Sequence, residues 1–207
     1  LQAVEDILAF CEEEGIRAVF YLAPTAEPLT GEELSRLDYR TLAKEIFGCF
    51  LTDFTPEEVA ACVENAYRPE KFGGGEPVRL TPLTDNGEQK YLLELWHGPT
   101  CAFKDMALQM LPHLLSASLV KNQEEKTVCI LVATSGDTGK AAMEGFADVP
   151  QTKILVFYPK DGVSAVQEAQ MVTQAGANVG VCAVVGNFDD AQAGVKRIFS
   201  DESIRTT

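Results

Sequence analysis

After Pro77 the sequence alternates regularly between short apolar runs and helical patterns, and this alternation limits the folds that the chain can adopt. Four apolar runs predict strands, at residues 91–96, 127–132, 153–158 and 178–185. Each run is followed by apolar residues at helical spacing. Continuous apolar strands separated by helices are typical of a parallel sheet covered by helices on both faces. The sequence therefore predicts a three-layer α/β core with a parallel sheet over residues 77–207.

The segments between these runs predict helices at residues 105–120 and 140–147, a third beginning at Ser164 and a fourth beginning near Asp189. Ser164 and Gln167 have the spacing of a capping box. The turn Gly186-Asn187-Phe188-Asp189-Asp190 is interpreted as a structural turn before the last helix, because a Gly-Asn turn followed by a capping Asp usually has that role.

Residues 1–76 are predicted to form a mainly helical N-terminal region. Helical spacing covers residues 1–14 and 30–50, and residues 17–22 predict one short strand. Thr55, Pro56 and Glu58 mark a helix start, with Thr55 as the cap and Glu58 closing a capping box. The buried face of that helix is predicted to contain Val59, Cys62, Val63, Ala66 and Tyr67. The three glycines at residues 73–75 then predict a hinge or loop.

Charge and composition exclude several classes of partner. With 46% hydrophobic and 23% charged residues, the chain has the composition of a soluble globular protein. Its net charge of −14 argues against nucleic acid or an anionic membrane as a partner. Residues 1–76 hold 16 acidic and 6 basic side chains, whereas residues 77–207 hold 15 and 11, so an anionic ligand is expected to approach the second part unless the acidic face is merely solvated. Without a signal-peptide pattern or a membrane-spanning run, a cytoplasmic protein is expected.

The six cysteines do not have the close pairing of a zinc site or the density of a secreted disulfide scaffold. With only two histidines, no metal site is predicted. Most of these thiols are expected to pack in the core, and Cys129, inside an apolar strand, is the clearest example. For Cys101 the alternative is a reactive thiol near a pocket.

Lys104 is the first candidate for chemistry. The apolar run at residues 91–96 is broken by His97-Gly98-Pro99-Thr100, and a helical pattern begins just after Lys104. An amine at such a strand-to-helix elbow is near unpaired N–H groups and the positive end of a helix dipole, which favour its neutral, nucleophilic form. Such a lysine can form a Schiff base. The alternative is a solvated surface lysine at a helix start.

A second candidate is the loop Thr134-Ser135-Gly136-Asp137-Thr138-Gly139, which follows the run at residues 127–132. Ligands of open parallel sheets lie outside the carboxyl ends of the strands. The backbone N–H groups here, with the Ser135 and Thr138 hydroxyls, are suited to a carboxylate or phosphate, and Asp137 is expected to cap the following helix. The alternative is a glycine-rich turn that only connects strand and helix.

Both segments resemble one known family. His97-Gly98-Pro99-Thr100 followed by Phe103-Lys104-Asp105 resembles the pyridoxal-phosphate lysine segment of the threonine synthases. The loop at residues 133–139 is similar to the Ser-Gly-Asp-Thr-Gly loop of the same family. The resemblance covers about residues 34–203, including residues 42–46 and 158–164.

The resemblance implies a fold-type II pyridoxal-phosphate enzyme, similar to the tryptophan synthase β subunit, that converts O-phospho-L-homoserine and water into L-threonine and phosphate. In such an enzyme Lys104 would bind the cofactor as a Schiff base and then act as acid and base. The residues that would line the substrate side are Thr100, Thr134, Ser135, Asp137 and Thr138. The resemblance leaves the oligomeric state open.

Two departures from the family pattern qualify these expectations. The family has an Ala-Pro-Asp-Gly-Gly-Leu stretch near its start, whereas residues 22–27 here are Leu-Ala-Pro-Thr-Ala-Glu. The chain also ends before the asparagine-rich segment and the cofactor-phosphate loop of the family, so that it resembles roughly the first half of an enzyme. These residues alone are therefore expected to bind the cofactor weakly and to be inactive, with the sheet continuing beyond Thr207. The alternatives are a phospho-lyase that makes 2-oxobutyrate from the same substrate and a non-catalytic homologue that keeps the fold.

Overall fold

The computed structural model describes residues 36–85 and 88–205. The chain divides into two compact units, one ending at Val63 and the other beginning at Glu64. The helix predicted at residues 1–14, the strand at residues 17–22 and the start of the helical pattern at residue 30 lie outside the described residues. The division into regions 1–76 and 77–207 stays a prediction.

The first unit contains helix α1 (Tyr39–Phe50) and most of α2 (Pro56–Ala66). Helix α1 begins at Tyr39 because the Asp38 side chain accepts the Thr41 N–H (2.8 Å) and caps it there. The predicted capping box of α2 is confirmed: the Thr55 N–H donates to Glu58 Oε2 (2.7 Å), and the Glu58 N–H donates to Thr55 Oγ1 (3.3 Å). All five residues predicted for its buried face are buried.

The second unit opens with a short 3-10 turn, Pro69–Phe72, and a hairpin. Gly73 and Gly74 follow the turn with φ values of 66° and 77°, which confirms the predicted loop. Strands β1 (Arg79–Asp85) and β2 (Glu88–Glu94) then pair antiparallel. The sequence interpretation was wrong here: it missed β1 and placed β2 with the parallel strands. Because a local partner is available across Asn86-Gly87, the second strand pairs within a hairpin instead.

The three remaining strands among the described residues form the predicted parallel sheet. They are β3 (Val128–Ala133), β4 (Thr152–Pro159) and β5 (Val179–Val184), in the order β3-β4-β5. All three lie within two residues of their predicted positions. β4 is the central strand of this sheet, and its Ile154, Val156 and Tyr158 are buried.

The helix predicted at residues 105–120 is two helices, α3 (Asp105–Leu108) and α4 (Leu111–Lys121). Pro112 lies in the first turn of α4 and has no N–H to donate to the Leu108 carbonyl, so one continuous helix would lose that hydrogen bond. The next helix, α5 (Asp137–Phe146), begins three residues before the predicted start at Lys140. This earlier start brings the second candidate loop into its first turn.

Three more helices follow in the described part of the chain. They are α6 (Ala165–Val172), α7 (Phe188–Ser200) and α8 (Glu202–Arg205). Ser164 and Gln167 form the predicted capping box of α6, and Asn187 and Asp190 form a second box at the start of α7. The turn at residues 186–190 therefore has the structural role expected of it. None of the described helices has the length and apolar character needed to cross a bilayer.

The core lies where α5 and α6 cover one side of the central strand. Its buried members are Ala142, Met143 and Phe146 of α5, Ile154, Val156 and Tyr158 of β4, and Met171 of α6. Helix α7 lies against β3 and β4 and buries Ala191 and Val195 outside this cluster. The sheet is thereby packed between helices, as the apolar strands predict.

The prediction that most thiols pack in the core was wrong. Of the cysteines in the described part of the chain, Cys62 is buried, whereas Cys101, Cys129 and Cys182 are exposed. Cys129 is exposed because it stands near the start of β3, which is an edge strand of the described sheet.

Candidate functional site

Lys104 lies at the end of the connection from β2 to α3, residues 95–104, which is called the Lys104 loop below. Its backbone is helical, and its carbonyl accepts the N–H groups of Ala107 (3.2 Å) and Leu108 (3.0 Å). The side chain is half-buried, and Nζ lies 3.9 Å from the centroid of the Phe103 ring. No carboxylate within the described residues forms an ion pair with this amine. Lys104 therefore has a fixed backbone and an amine that is not held by an anion.

The helix that follows Lys104 is too short for the expected dipole effect. Helix α3 has four residues, and the field of a helix end requires several aligned peptide units. The prediction of a strand-to-helix elbow at Lys104 is confirmed, but the dipole of a long helix starting at Asp105 was the wrong reason for expecting a reactive amine.

Asp105 is the buried centre of the Lys104 loop. Its side chain is 1% exposed, and both carboxylate oxygens are used by Thr100, which donates its N–H to Oδ2 (2.9 Å) and its hydroxyl to Oδ1 (2.7 Å). Burial raises the pKa of this carboxyl, and the hydrogen bonds from Thr100 oppose that rise. Thr100, predicted to contact the substrate, is itself buried with both of its donors engaged.

The chain passes very close to this carboxylate at Gly98. A Cβ on Gly98 would come within 2.5 Å of Asp105 Oδ2 and 2.6 Å of Asp105 Cβ. The Cys101 N–H donates to the Gly98 carbonyl (3.1 Å), and Cys101 itself is left-handed at φ 58°. The loop is thus a tight turn around one carboxylate, which explains why glycine is required at residue 98.

A second polar contact joins the hairpin to the Lys104 loop. The Thr81 hydroxyl donates to Glu94 Oε1 (2.5 Å), and His97 Nε2 lies 2.6 Å from Glu94 Oε2. These two hydrogen bonds lower the pKa of Glu94. The last residue of β2 is therefore hydrogen-bonded to His97, at the start of the turn that leads into Lys104.

Helix α3 is also held by two residues that come earlier in the chain, Tyr67 and Lys71. The Tyr67 hydroxyl donates to the Met106 carbonyl (2.7 Å), and Lys71 Nζ donates to Gln109 Oε1 (2.8 Å). Burial lowers the pKa of Lys71, and the nearby Arg68 lowers it further. Contacts at residues 105, 106 and 109 thus fix the short helix that begins beside Lys104.

The second candidate segment, residues 134–139, is called the Thr134 loop below. It is folded around the Thr134 hydroxyl, which accepts the N–H groups of Gly136 (3.0 Å) and Gly139 (2.9 Å) and donates to the Gly136 carbonyl (3.2 Å). Thr134 is 2% exposed. Its hydroxyl, predicted to contact the substrate, is therefore occupied by the backbone of its own loop.

The prediction that Asp137 caps α5 was wrong. Gly136 occupies the cap position, at φ 139°, and Asp137 is the first helical residue. Because the Thr134 hydroxyl already binds the Gly139 N–H of the first turn, the Asp137 carboxylate is left for another partner, and its Oδ1 accepts Gln167 Nε2 (2.8 Å). Gln167 thereby links the Thr134 loop to the capping box of α6.

Ser135 and Thr138 are the accessible hydroxyls of the Thr134 loop. Ser135 is exposed and Thr138 is half-buried. Neither hydroxyl has a hydrogen-bond partner in the part of the chain that the structure describes. They are thus the polar groups of this loop that a ligand could engage without breaking a contact.

The two loops begin helices that pack against each other. Gly145 of α5 faces the Leu108 carbonyl of α3 so closely that a Cβ there would collide with it. The structure therefore brings Lys104 and Thr100 together in one loop, and Thr134, Ser135, Asp137 and Thr138 in the other. A common cleft between the two loops stays a prediction.

Asp105 is a buried, hydrogen-bonded residue of this site that the sequence patterns did not single out. The usable signal was an acidic residue directly after the lysine with a threonine five residues earlier, a spacing that allows a side chain to accept donors from its own loop.

No family model matches the sequence. The chain is 33% identical to threonine synthase from Eremothecium gossypii over 204 residues, which are 95% of this chain and 40% of that relative. A crystal structure of threonine synthase from yeast superposes with a TM-score of 0.77 at 32% identity and covers 87% of this chain and 38% of that one. A structure of PLP-bound threonine synthase from Brucella melitensis has a TM-score of 0.73 at 34% identity. That match covers 84% of this chain and 37% of the Brucella chain.

These comparisons confirm two predictions. The chain resembles threonine synthases in sequence and in structure, and its fold is the fold-type II architecture. The match to the Eremothecium gossypii enzyme includes nearly all of this chain, but the chain spans only 40% of the length of that enzyme.

Proposed function

We propose that the intact protein is a threonine synthase, a pyridoxal-phosphate-dependent lyase that converts O-phospho-L-homoserine and water into L-threonine and phosphate. The observation that carries this proposal is Lys104, a half-buried lysine at a strand-to-helix elbow in a segment that resembles the family's cofactor lysine. The likeness to threonine synthases over 95% of the chain supports it.

The surroundings of Lys104 fit a lysine that binds a carbonyl group. An amine must lose its proton to act as a nucleophile, and a carboxylate partner would hold it as an ammonium. No such partner lies beside Nζ among the described residues, and the Phe103 ring, 3.9 Å from Nζ, holds an ammonium more weakly than a carboxylate would. When bound, pyridoxal phosphate supplies the electron sink of the reaction. Lys104 then holds the cofactor and moves protons at its Nζ atom.

We assign the anionic part of the substrate to the Thr134 loop. Ser135 and Thr138 present hydroxyls, and the first turn of the ten-residue helix α5 presents N–H groups and the positive end of a dipole. Thr100 and Thr134 shape the two loops from within, and Asp137 is held by Gln167. In this assignment the hydroxyls of Ser135 and Thr138 orient the substrate while the buried groups fix the backbone.

The test is an assay of the intact protein with O-phospho-L-homoserine and pyridoxal phosphate, in which both phosphate and threonine are measured. We expect equal amounts of the two products, and Lys104→Ala should abolish both. Lys160→Ala is the control, because Lys160 is an exposed lysine directly after strand β4 of the parallel sheet, and it should retain activity.

Other products would support the alternatives. Phosphate with 2-oxobutyrate instead of threonine would identify a phospho-lyase. Absence of both products, together with no binding of pyridoxal phosphate, would leave a non-catalytic homologue that keeps the fold.

A further inference from the structure

We propose that Asp105 is a positioning residue that fixes the backbone of Lys104 and so sets where the Lys104 amine meets the cofactor. The inference rests on the proposed function, since it concerns the same lysine. It assigns a role to a buried carboxylate whose two oxygens both accept hydrogen bonds from Thr100.

The first step is the closed ring formed by Thr100 and Asp105. Two hydrogen bonds join these residues, from the Thr100 N–H to Oδ2 (2.9 Å) and from the Thr100 hydroxyl to Oδ1 (2.7 Å). Lys104 is the last residue inside this ring. Because each end of the ring is fixed to the other, rotation of the Lys104 backbone would have to break contacts with a buried carboxylate.

The second step is the fit of the ring around the carboxylate. Gly98 leaves no room for a Cβ beside Asp105, and the Asp105 N–H donates to the Ala102 carbonyl (3.0 Å). The loop thus touches Asp105 through Gly98, Thr100 and Ala102. A side chain of another shape or hydrogen-bonding character cannot replace it without moving the loop.

The third step is the anchorage of α3 at its far end. The Met106 carbonyl accepts the Tyr67 hydroxyl, and Gln109 accepts Lys71 Nζ. With Asp105 held by the loop and the residues after it held by Tyr67 and Lys71, the Lys104 Cα has fixed neighbours on both sides. Only the Lys104 side chain can still rotate. A group that binds a cofactor and then moves protons needs that rotation.

The fourth step is the chemistry of the carboxylate. Both oxygens accept from Thr100, one from its N–H and one from its hydroxyl. In Asp105→Asn the amide oxygen can still accept the Thr100 N–H, but the amide NH2 group then faces the Thr100 hydroxyl, which must turn to accept it and leaves its own hydrogen without an acceptor. The variant therefore loses both hydrogen bonds to a charged group. Thr100→Val removes the hydroxyl donor with little change of shape, whereas Thr100→Ser keeps both donors. These two substitutions separate hydrogen bonding from volume.

The experiment compares the intact wild-type protein with Asp105→Asn, Thr100→Val and Thr100→Ser. Asp190→Asn is the control, because Asp190 also accepts a backbone N–H at a helix start, from Asn187 (2.8 Å), but belongs to the first turn of α7. Two quantities are measured. One is the dissociation constant of pyridoxal phosphate, from the visible absorbance of the bound cofactor. The other, without cofactor, is the rate of Lys104 acetylation by N-hydroxysuccinimide acetate relative to that of Lys160, from peptide mass spectrometry.

We expect Asp105→Asn and Thr100→Val to raise the dissociation constant about tenfold or more, as the loss of a hydrogen bond to a charged group predicts. The relative acetylation of Lys104 should change about threefold or more, because the amine takes up new positions. Thr100→Ser and Asp190→Asn should match the wild type in both measurements. If only the volume of threonine mattered, Thr100→Val would match the wild type and Thr100→Ser would not. Wild-type values in Thr100→Ser therefore identify the hydroxyl as the required group.

Wild-type values in both Asp105→Asn and Thr100→Val would overturn the proposal. If Asp105→Asn does not fold, the Thr100→Val and Thr100→Ser pair decides it: equal values for the two contradict the proposal. If the wild type itself binds no pyridoxal phosphate, the proposed function fails. Acetylation then tests the positioning role alone, and an unchanged Lys104 rate in Thr100→Val rejects it.

Discussion

The Lys104 loop and the Thr134 loop are both strand-to-helix connections, and each is folded around one buried polar side chain. In the Lys104 loop this central side chain is the Asp105 carboxylate, which accepts two hydrogen bonds from Thr100. In the Thr134 loop it is the neutral Thr134 hydroxyl, which accepts two backbone N–H groups. A buried charge costs far more than a buried hydroxyl when its hydrogen bonds are lost. The loop that carries the lysine is therefore the more sensitive of the two to any change at its centre.

Each central side chain is matched by one glycine. A Cβ on Gly98 would lie 2.5 Å from Asp105 Oδ2, and a Cβ on Gly139 would lie 2.5 Å from Thr134 Cγ2. The motif residues thus divide into two groups. Buried residues shape the loop, whereas Lys104, Ser135 and Thr138 are left for a ligand.

The largest expected effect comes from removing the central side chains. Asp105→Asn replaces two hydrogen bonds to a buried charge and should lower the free energy of unfolding by about 3 kcal/mol, whereas Thr134→Val leaves two backbone N–H groups unsatisfied and should lower it by about 2 kcal/mol. Thr138→Val is the control, because the Thr138 hydroxyl has no partner among the described residues. Urea unfolding measures all three. If Thr134→Val lowered the free energy of unfolding more than Asp105→Asn does, the Lys104 loop would not be the more sensitive of the two.

The glycines test the same comparison through volume. Gly98→Ala and Gly139→Ala should each cost about 2 kcal/mol, since the added methyl group overlaps a buried side chain. Gly194→Ala in α7 is the matched control: no atom lies within 4 Å of its Cβ position, so alanine there should stabilise by up to about 1 kcal/mol. Thermal unfolding of the three variants gives the order. Equal stability of Gly98→Ala and Gly194→Ala would show that the Lys104 loop can accommodate a methyl group beside Asp105, which contradicts a tightly packed loop.

Ser135 tests the division between buried and accessible residues. Ser135→Ala should leave the free energy of unfolding unchanged, because the side chain is exposed and unpartnered within the described residues. Loss of one hydrogen bond to an anionic substrate group should lower kcat/KM for O-phospho-L-homoserine by roughly tenfold to a hundredfold, about 1.5–3 kcal/mol. The visible absorbance of bound pyridoxal phosphate should persist. Unchanged kcat/KM would return the Thr134 loop to a purely connecting role.

The smallest expected effect is a difference in pH dependence. Burial raises the pKa of Asp105 in the folded chain, so between its ordinary value and this raised value the folded state holds more protons than the unfolded state. The free energy of unfolding then falls as pH rises through that window, by at most about 1.4 kcal/mol per pH unit. The amide introduced by Asp105→Asn does not titrate, so the variant lacks this fall. The difference in unfolding free energy between the wild type and the variant should therefore shrink as pH rises.

The Thr134 loop supplies the control for this pH effect. Its central hydroxyl does not titrate, so the cost of Thr134→Val should be the same across the window. Unfolding free energies of both variants and the wild type, measured at several pH values, give the two slopes. A cost of Asp105→Asn that grows with rising pH would mean that the hydrogen bonds from Thr100 outweigh burial.

Local signals in the sequence were sufficient for much of the fold. The strands at residues 127–132, 153–158 and 178–185 were predicted because they are continuous apolar runs, and the structure has strands at each. The capping boxes at Thr55 and Ser164 were predicted because they involve side chains and backbone within one turn. The position of Lys104 at a helix start was predicted from the break that precedes it.

The errors concern features that depend on partners elsewhere. β2 was assigned to the wrong sheet because an apolar run does not identify its partner strand, although Asn86-Gly87 was a usable hairpin signal. Cys129 is exposed because of the strand order, which local sequence does not encode. Asp105 was overlooked as a structural centre because its burial and its pairing with Thr100 arise only when the loop closes.

The most direct measurement is the chemical identity of the lysine that binds the cofactor. The intact protein is incubated with pyridoxal phosphate, reduced with borohydride, digested and mapped by mass spectrometry. If the Lys104 loop holds the reactive amine, the pyridoxyl group should be on Lys104, and Lys104→Ala should abolish it without moving it elsewhere. Attachment at Lys140 or Lys160, or no attachment in the wild type, would contradict the account.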